Sequence, residues 1–338
     1  MATFNRVVLA SRPTGPVVLE NFRLETAPVP TCGEGQVLVR IHYLSLDPYM
    51  RGRMNEGKSY APAQALNETM VGGTVGEVVQ SRHDKFKFGD KVVGMAGWQE
   101  YQRVDAAERG VLQRVDTTHI PLPAYLGVVG MPGVTAWYGL KKIIAPKAGD
   151  TVVVSAASGA VGGVVGQMAK TQGCRAVGIA GGKAKCDYVV KELGLDACVD
   201  YKSARDSKEL YAMLKAETPD GVDGYFENVG GEILDTVMRR MNAFSRIAFC
   251  GMIAGYDGQP IPMKNPSLIL VNRMKMEGFI VYEHREVWPQ ALRELGGWVA
   301  AGKIKYRETI AQGLENAPQA FIGLLRGANF GKQLVKLI

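Results

Sequence analysis

The residues with the most to offer chemically lie between Ala157 and Lys185. Ala157-x-Gly159-x-x-Gly162 follows a β-branched run, Thr151 to Val154. It leads into Val161, Val164, Val165, Met168 and Ala169, apolar positions at helical spacing. A strand, a tight turn and a helix N-terminus in that order are what a dinucleotide pyrophosphate needs. Gly159 lets the backbone approach the phosphates, and Gly162 lets the helix pack close to the strand. The turn through Ala160 and Val161 delivers helix N-terminal N–H groups and the positive end of the dipole to the anion. Ala157 stands where the usual pattern has its first glycine, so a glycine-rich turn in an ordinary α/β unit is the alternative.

The next strand bears on which dinucleotide binds. Arg175–Ala180 reads as that strand, ending at Gly181-Gly182-Lys183-Ala184-Lys185. A site for NAD usually places an acid there, about 20 residues after the glycines, on the ribose 2′-hydroxyl. Here Lys183 stands 21 residues past Gly162, and no acid precedes Asp187. Ammonium groups attract a 2′-phosphate that a carboxylate would repel. The arrangement therefore predicts NADP(H) in preference to NAD(H), the alternative being two solvated lysines at a helix start.

The elements that must position these residues follow from periodicity. The first 120 or so residues read as short strands and turns, with Gln36–Leu44, Val71–Val79 and Lys91–Met95 as examples. From about Leu126, apolar strands alternate with helical stretches: Thr151–Val154, helix 161–172, Arg175–Ala180, helix 184–193, Ala197–Val199, helix 207–216, Gly224–Asn228, helix 231–241 and Arg246–Cys250. Phe279–Tyr282 reads as one more strand and Val287–Ala301 as a final helix. The closing strand, Gln333–Ile338, is expected to return to the first domain. The fold class is α/β: residues 1–125 and 303–338 form an irregular β-barrel domain, and 126–302 a doubly wound parallel sheet.

Composition excludes several classes. The chain has 338 residues, 46% hydrophobic and 22% charged, as in a globular protein of about two domains. A formal charge of +7 is mild at this length, and no basic run with interleaved aromatics points to nucleic acid. The segment MATFNRVVLASRP has no signal-peptide core. Of two long uncharged stretches, Ile120–Leu140 is broken by Pro121, Pro123 and Pro132, and Thr151–Ala169 contains the dinucleotide turn, so no membrane span is expected. The five cysteines, Cys32, Cys174, Cys186, Cys198 and Cys250, form no C-x-x-C pair. That spacing argues against a disulfide framework or a zinc lobe and for thiols in a reducing, cytoplasmic compartment.

Further segments carry a resemblance. They are Ser45-Leu46-Asp47-Pro48-Tyr49-Met50-Arg51-Gly52-Arg53-Met54, Met131-Pro132-Gly133-Val134-Thr135-Ala136-Trp137-Tyr138-Gly139-Leu140, the stretch 156–170, Phe226-Glu227-Asn228-Val229-Gly230-Gly231, Cys250-Gly251-Met252-Ile253 and Asn329-Phe330-Gly331-Lys332. Together they resemble the medium-chain dehydrogenase/reductase superfamily. Within it they are similar to the zinc-free, NADPH-dependent double-bond reductases: the leukotriene B4 dehydrogenase/prostaglandin reductase, plant alkenal reductase and bacterial curcumin reductase group. The likeness runs over nearly the whole chain. It implies a GroES-like barrel plus a Rossmann domain, a cleft between them and a homodimer. Zinc-dependent relatives carry a cysteine before the Asp of the first segment and Gly-His-Glu near position 72. Here those places hold Leu46 and Val71-Gly72-Gly73, so no catalytic metal is expected. Without a Lewis acid to polarise a carbonyl, hydride addition falls to a carbon made electrophilic by conjugation.

The resemblance also implies site residues. Tyr49 and Tyr256 are the candidate donors to the carbonyl oxygen, where negative charge develops as hydride reaches the β-carbon of an enone. Lys185 and Tyr201 would hold the 2′-phosphate, with Gly181 at the strand end beside them. Asn228 would face the nicotinamide ribose, Gly251 would admit the nicotinamide, and Asn329 would reach over the cofactor. Packing or turn-forming roles are the alternatives for Tyr49 and Asn329, pocket lining for Tyr256, and a simple tight turn for Gly251. Asp47 and Arg51 read as a structural ion pair. The reading is an NADPH-dependent reductase of the conjugated C=C bond of enals or enones of alkenal, 15-oxoprostaglandin or curcumin type. A quinone reductase and a cofactor-binding protein with little catalysis are the alternatives.

Overall fold

The computed structural model describes residues 2–106 and 110–338. The chain divides into two compact units, Met1–Leu126 with Glu308–Ile338, and Gly127–Arg307.

The first unit opens with an antiparallel hairpin, β1 (Thr3–Leu9) and β2 (Phe22–Pro28). Then come β3 (Gln36–Ser45), a one-turn helix α1 (Tyr49–Arg53), β4 (Thr74–Ser81), β5 (Lys91–Gly94), β6 (Tyr101–Asp105) and β7 (Leu112–Arg114). In the second unit, α2 (Met131–Tyr138) runs into a π-helical stretch before β8 (Thr151–Ser155). The alternation continues with α3 (Gly162–Thr171), β9 (Arg175–Ala180), α4 (Lys183–Lys191), β10 (Ala197–Asp200), α5 (Ser207–Glu217), β11 (Val222–Glu227), α6 (Gly231–Met238), β12 (Met241–Phe249), α7 (Ser267–Val271), β13 (Lys275–Gly278) and α8 (Trp288–Ala300). The chain returns to the first unit with β14 (Glu308–Gln312), α9 (Ala317–Leu325) and β15 (Lys332–Lys336).

In the first unit β15 pairs with β3 at Leu334↔Ser45, so the closing strand does join the opening domain. The seven-stranded sheet runs β14-β15-β3-β4-β5-β7, with β6 on β3. In its core Phe22 stacks on Trp98 and Phe321 meets both rings edge-on, packed with Leu44, Leu46 and Met50. β4 begins at Thr74 rather than Val71, because the Gly73 carbonyl bonds to Ser45 N before the ladder starts.

The second unit is a six-stranded parallel sheet in the order β10-β9-β8-β11-β12-β13. Order reverses between β8 and β11, and such a switch point opens a crevice at the carboxyl ends of the strands. β8 is buried throughout, consistent with its β-branched run. Phe279–Tyr282 is not a strand: β13 stops at Gly278 opposite Phe249, where its partner β12 also ends. A 3-10 turn over Val281–Glu283 follows. The helix expected over 231–241 ends at Met238, because Met241 pairs with Val222 as the start of β12. No helix among the described residues is long and apolar enough to cross a membrane.

Candidate active site

Every expected site residue of the second unit follows the carboxyl end of one of its parallel strands. After β8, Ala156 takes a left-handed conformation at φ 51° and swings the chain out of the sheet. Gly159 N donates to the Ala156 carbonyl at 2.9 Å, closing the turn through Ala160 and Val161 into α3. A Cβ on Gly162 would overlap the Ala156 carbonyl oxygen and stand 3.0 Å from Ala157 Cα, so the helix start rests on the turn as only glycine permits. Ala157 is fully buried, and its Cβ lies 2.7 Å from where a Cβ on Gly178 of β9 would be. The absent side chain on β9 is what lets alanine replace the first glycine.

The ends of β9 and β10 meet the start of α4. A Cβ on Gly181 would lie 3.0 Å from both the Tyr201 ring and Lys202 Cε, so Gly181, Tyr201 and Lys202 share one small space. Asp200 Oδ1 accepts from Gly182 N at 2.7 Å and Lys202 N at 3.0 Å, fastening α4 to β10. Lys185 is half-buried; burial and the Lys202 charge hold its ammonium below the ordinary lysine range. Two cations that disfavour one another are a suitable pair for a dianion. Lys183 instead bonds Asp187 at 2.6 Å on the exposed face of α4, so of the two lysines it is the solvated one. Sequence reasoning missed Lys202. It follows Tyr201 directly, but only the end of β10 brings it beside Lys185.

The ends of β8, β11 and β12 form a second cluster. Asn228 N donates to Ser155 Oγ and its Nδ2 to the Ser155 carbonyl, both at 2.8 Å. The Asn228 carbonyl lies 3.5 Å, and the Tyr256 hydroxyl 3.4 Å, from the place a Cβ on Gly251 would take. Asn228, Gly251 and Tyr256 are thus brought together. Beside them is a residue to which the sequence alone assigns no role. Glu227 is fully buried and accepts from Ser155 Oγ at 2.7 Å, Tyr225 OH at 2.8 Å and Val229 N at 2.5 Å. Burial raises its carboxyl above the usual carboxylate range, against the pull of these donors. Burial, with the Glu227 charge, also pushes the Cys250 thiol up to about 12.

Tyr49 and Asn329 belong to the first unit. Tyr49 starts α1 and packs, half-buried, against the Leu44–Met50–Trp98 cluster. Asn329 Nδ2 donates to the Gly331 carbonyl at 2.9 Å, a turn-forming bond. Three residues after Asn329, Lys332 Nζ donates to Asp47 Oδ1 and the Leu46 carbonyl, both at 2.7 Å and both buried. That bond ties the Asn329 turn to the loop that carries Tyr49. It adds a partner 285 residues away to the Asp47 that sequence reasoning matched with Arg51. Arg51 itself donates to Asn55 Oδ1 and the Gly15 carbonyl. Among the described residues, no three His, Cys, Asp or Glu side chains come together as a metal site would require.

Two family models match the chain: an N-terminal domain of oxidoreductase over residues 5–112 and a zinc-binding dehydrogenase over 160–296. The NADPH-dependent curcumin reductase of Escherichia coli is 48% identical over 342 residues, covering 98% of this chain and 96% of its own. The NADP(+)-dependent 2-alkenal reductase of Nicotiana tabacum is 44% identical over 306 residues, 90% of this chain and 88% of its own. The crystal structure of CurA from Vibrio vulnificus in complex with NADPH is 45% identical, superposes with a TM-score of 0.92 and covers 99% of both chains.

Proposed function

The chain belongs to the zinc-free, NADPH-dependent double-bond reductases of the medium-chain dehydrogenase/reductase superfamily, and from that premise we propose that it reduces the conjugated C=C bond of enals and enones. Hydride goes to the β-carbon and a proton to the α-carbon of an alkenal, 15-oxoprostaglandin or curcumin-type substrate. The observation that carries this reading is the meeting of the Tyr256 hydroxyl, Gly251 and Asn228 at the carboxyl ends of β11 and β12.

The residues fit NADPH. The turn at Gly159 and Gly162 is a cradle that a Cβ would fill, and Lys185 and Lys202 are the cations that a 2′-phosphate calls for. Gly181 and Tyr201 would wall that end and Asn228 would take the nicotinamide ribose; the resemblance adds Asn329 as a further cofactor residue. When bound, NADPH supplies the hydride. Tyr256 donates a hydrogen bond to the substrate oxygen, which gains negative charge as the β-carbon is reduced; a neutral phenol is a donor at pH 7. Tyr49 is the second donor candidate. Glu227, through Ser155 and the Val229 backbone, holds Asn228 in place for the cofactor. We further place the enzyme in the cytoplasm as a homodimer, a reading supported by its resemblance and its free thiols.

Product analysis tests this reading. An enone incubated with NADPH should lose its C=C bond and keep its carbonyl. An allylic alcohol as the main product, or turnover confined to quinones, would contradict it.

A further inference from the structure

Cys186 and Cys198 are 12 residues apart in sequence, yet their sulfurs lie 3.0 Å apart. One sits in the first turn of α4 and the other on β10. Cys186 is buried and Cys198 half-buried. The Cys198 thiol donates to Cys186 Sγ, and that hydrogen bond lowers the Cys186 thiol below its ordinary range while raising that of Cys198. A thiolate-prone sulfur with a protonated thiol in contact is the arrangement of an attacking and a resolving cysteine. A disulfide bond is about 2.05 Å long, so closure requires the sulfurs to approach by roughly 1 Å. The other three cysteines, Cys32, Cys174 and Cys250, have thiols raised by burial and are the inert kind.

We propose that Cys186 and Cys198 are a redox modification site, a dithiol that peroxide converts reversibly to an intrachain disulfide. The Cys186 thiolate attacks one peroxide oxygen: an S–O bond forms, the O–O bond breaks, and hydroxide leaves to become water. Cys198 sulfur then attacks the Cys186 sulfenic acid, so the S–S bond forms, the S–O bond breaks, and the Cys198 proton leaves with the hydroxyl as a second water. Two thiols are oxidised by two electrons and one peroxide is reduced. An added dithiol reductant reverses the step.

The bond falls at a sensitive place. Lys185 directly precedes Cys186, and Tyr201 and Lys202 follow Cys198 by three and four residues. The disulfide draws the first turn of α4 toward β10 and displaces Lys185 from the position it holds beside Lys202. Oxidation therefore weakens NADPH binding and leaves NADH binding nearly unchanged. This consequence rests on the reading of that corner as the 2′-phosphate end.

The test oxidises the full chain with hydrogen peroxide, maps it by peptide mass analysis and titrates NADPH and NADH by fluorescence. The mapped product should be one peptide pair joining Cys186 and Cys198 with the loss of two hydrogens, restored by dithiothreitol. Cys198→Ser should stop at the sulfenic acid, and Cys186→Ser should not react, while both reduced variants bind NADPH as the wild type does. Oxidised wild type should bind NADPH at least three-fold more weakly. A cross-link between any other pair, or none while Cys198→Ser also gains no oxygen, overturns the site. A mapped disulfide with unchanged NADPH affinity overturns the coupling. Lys185→Ala in the reduced protein separates the two causes: if it too leaves NADPH affinity unchanged, the placement of the 2′-phosphate has failed, and the disulfide map stands on its own.

Discussion

Replacing Lys185 by alanine should weaken NADPH and spare NADH. The side chain is half-buried, and its ammonium is held below the ordinary range by burial and by Lys202. A phosphate dianion relieves that repulsion. A hydrogen bond to a charged group contributes about 1.5–3 kcal/mol, and 1.4 kcal/mol corresponds to a factor of ten. Lys185→Ala should thus raise the NADPH Kd by about 10- to 100-fold, toward the lower figure because Lys202 remains. Lys202→Ala should cost less alone, because it also relieves the repulsion on Lys185, and the double variant should cost more than the sum, since that relief is gained once and not twice. It should also move the alkaline limb of NADPH affinity to higher pH, because Lys185 without its neighbour stays protonated longer. Fluorescence titration with both cofactors, and kcat/KM for each across pH, provides the assay. Equal loss for NADPH and NADH, or no shift of the alkaline limb in Lys202→Ala, would refute this reasoning.

Three further outcomes follow from the same geometry. Glu227 keeps its proton in the native state at pH values where the unfolded chain, with a carboxyl near 4.5, has lost it. Wild-type stability therefore falls as pH rises from that value to the raised one, by up to about 1.4 kcal/mol per pH unit. Glu227→Gln lacks that slope and should gain on wild type across the window; parallel denaturation curves would contradict the buried-acid account. Gly162→Ala forces a methyl onto the Ala156 carbonyl and should destabilise by about 1–3 kcal/mol in urea while weakening both cofactors. Tyr256→Phe should lower kcat by about 10- to 100-fold with little change in KM, as for losing one oxyanion donor. An unimpaired variant would pass the donor role to Tyr49.

Much of the second unit was legible because its signals are local. The β-branched run of β8, the glycines and the helical face of α3 lie within 20 residues, and the structure places each as strand, turn and helix. What the sequence hid depends on partners distant in the chain. Ala157 weakens the local motif, and the room for its methyl comes from Gly178 on another strand. Glu227 is adjacent to Asn228, but its meaning comes from Ser155, 72 residues earlier. Asp47 has a partner, Lys332, on the closing strand. Phe279–Tyr282 has strand composition but lies beyond Phe249, where the partner strand β12 ends. The Cys186–Cys198 contact likewise needs α4 folded back on β10.

The central claim, hydride delivery to a conjugated carbon, is tested most directly by isotopic labelling. An enone should be reduced with NADPH carrying deuterium at the transferable position, in ordinary water, and the product read by NMR. Deuterium should appear at the β-carbon alone, with the new α-hydrogen drawn from solvent and the carbonyl intact. Deuterium at the former carbonyl carbon, with the C=C bond retained, would contradict the account.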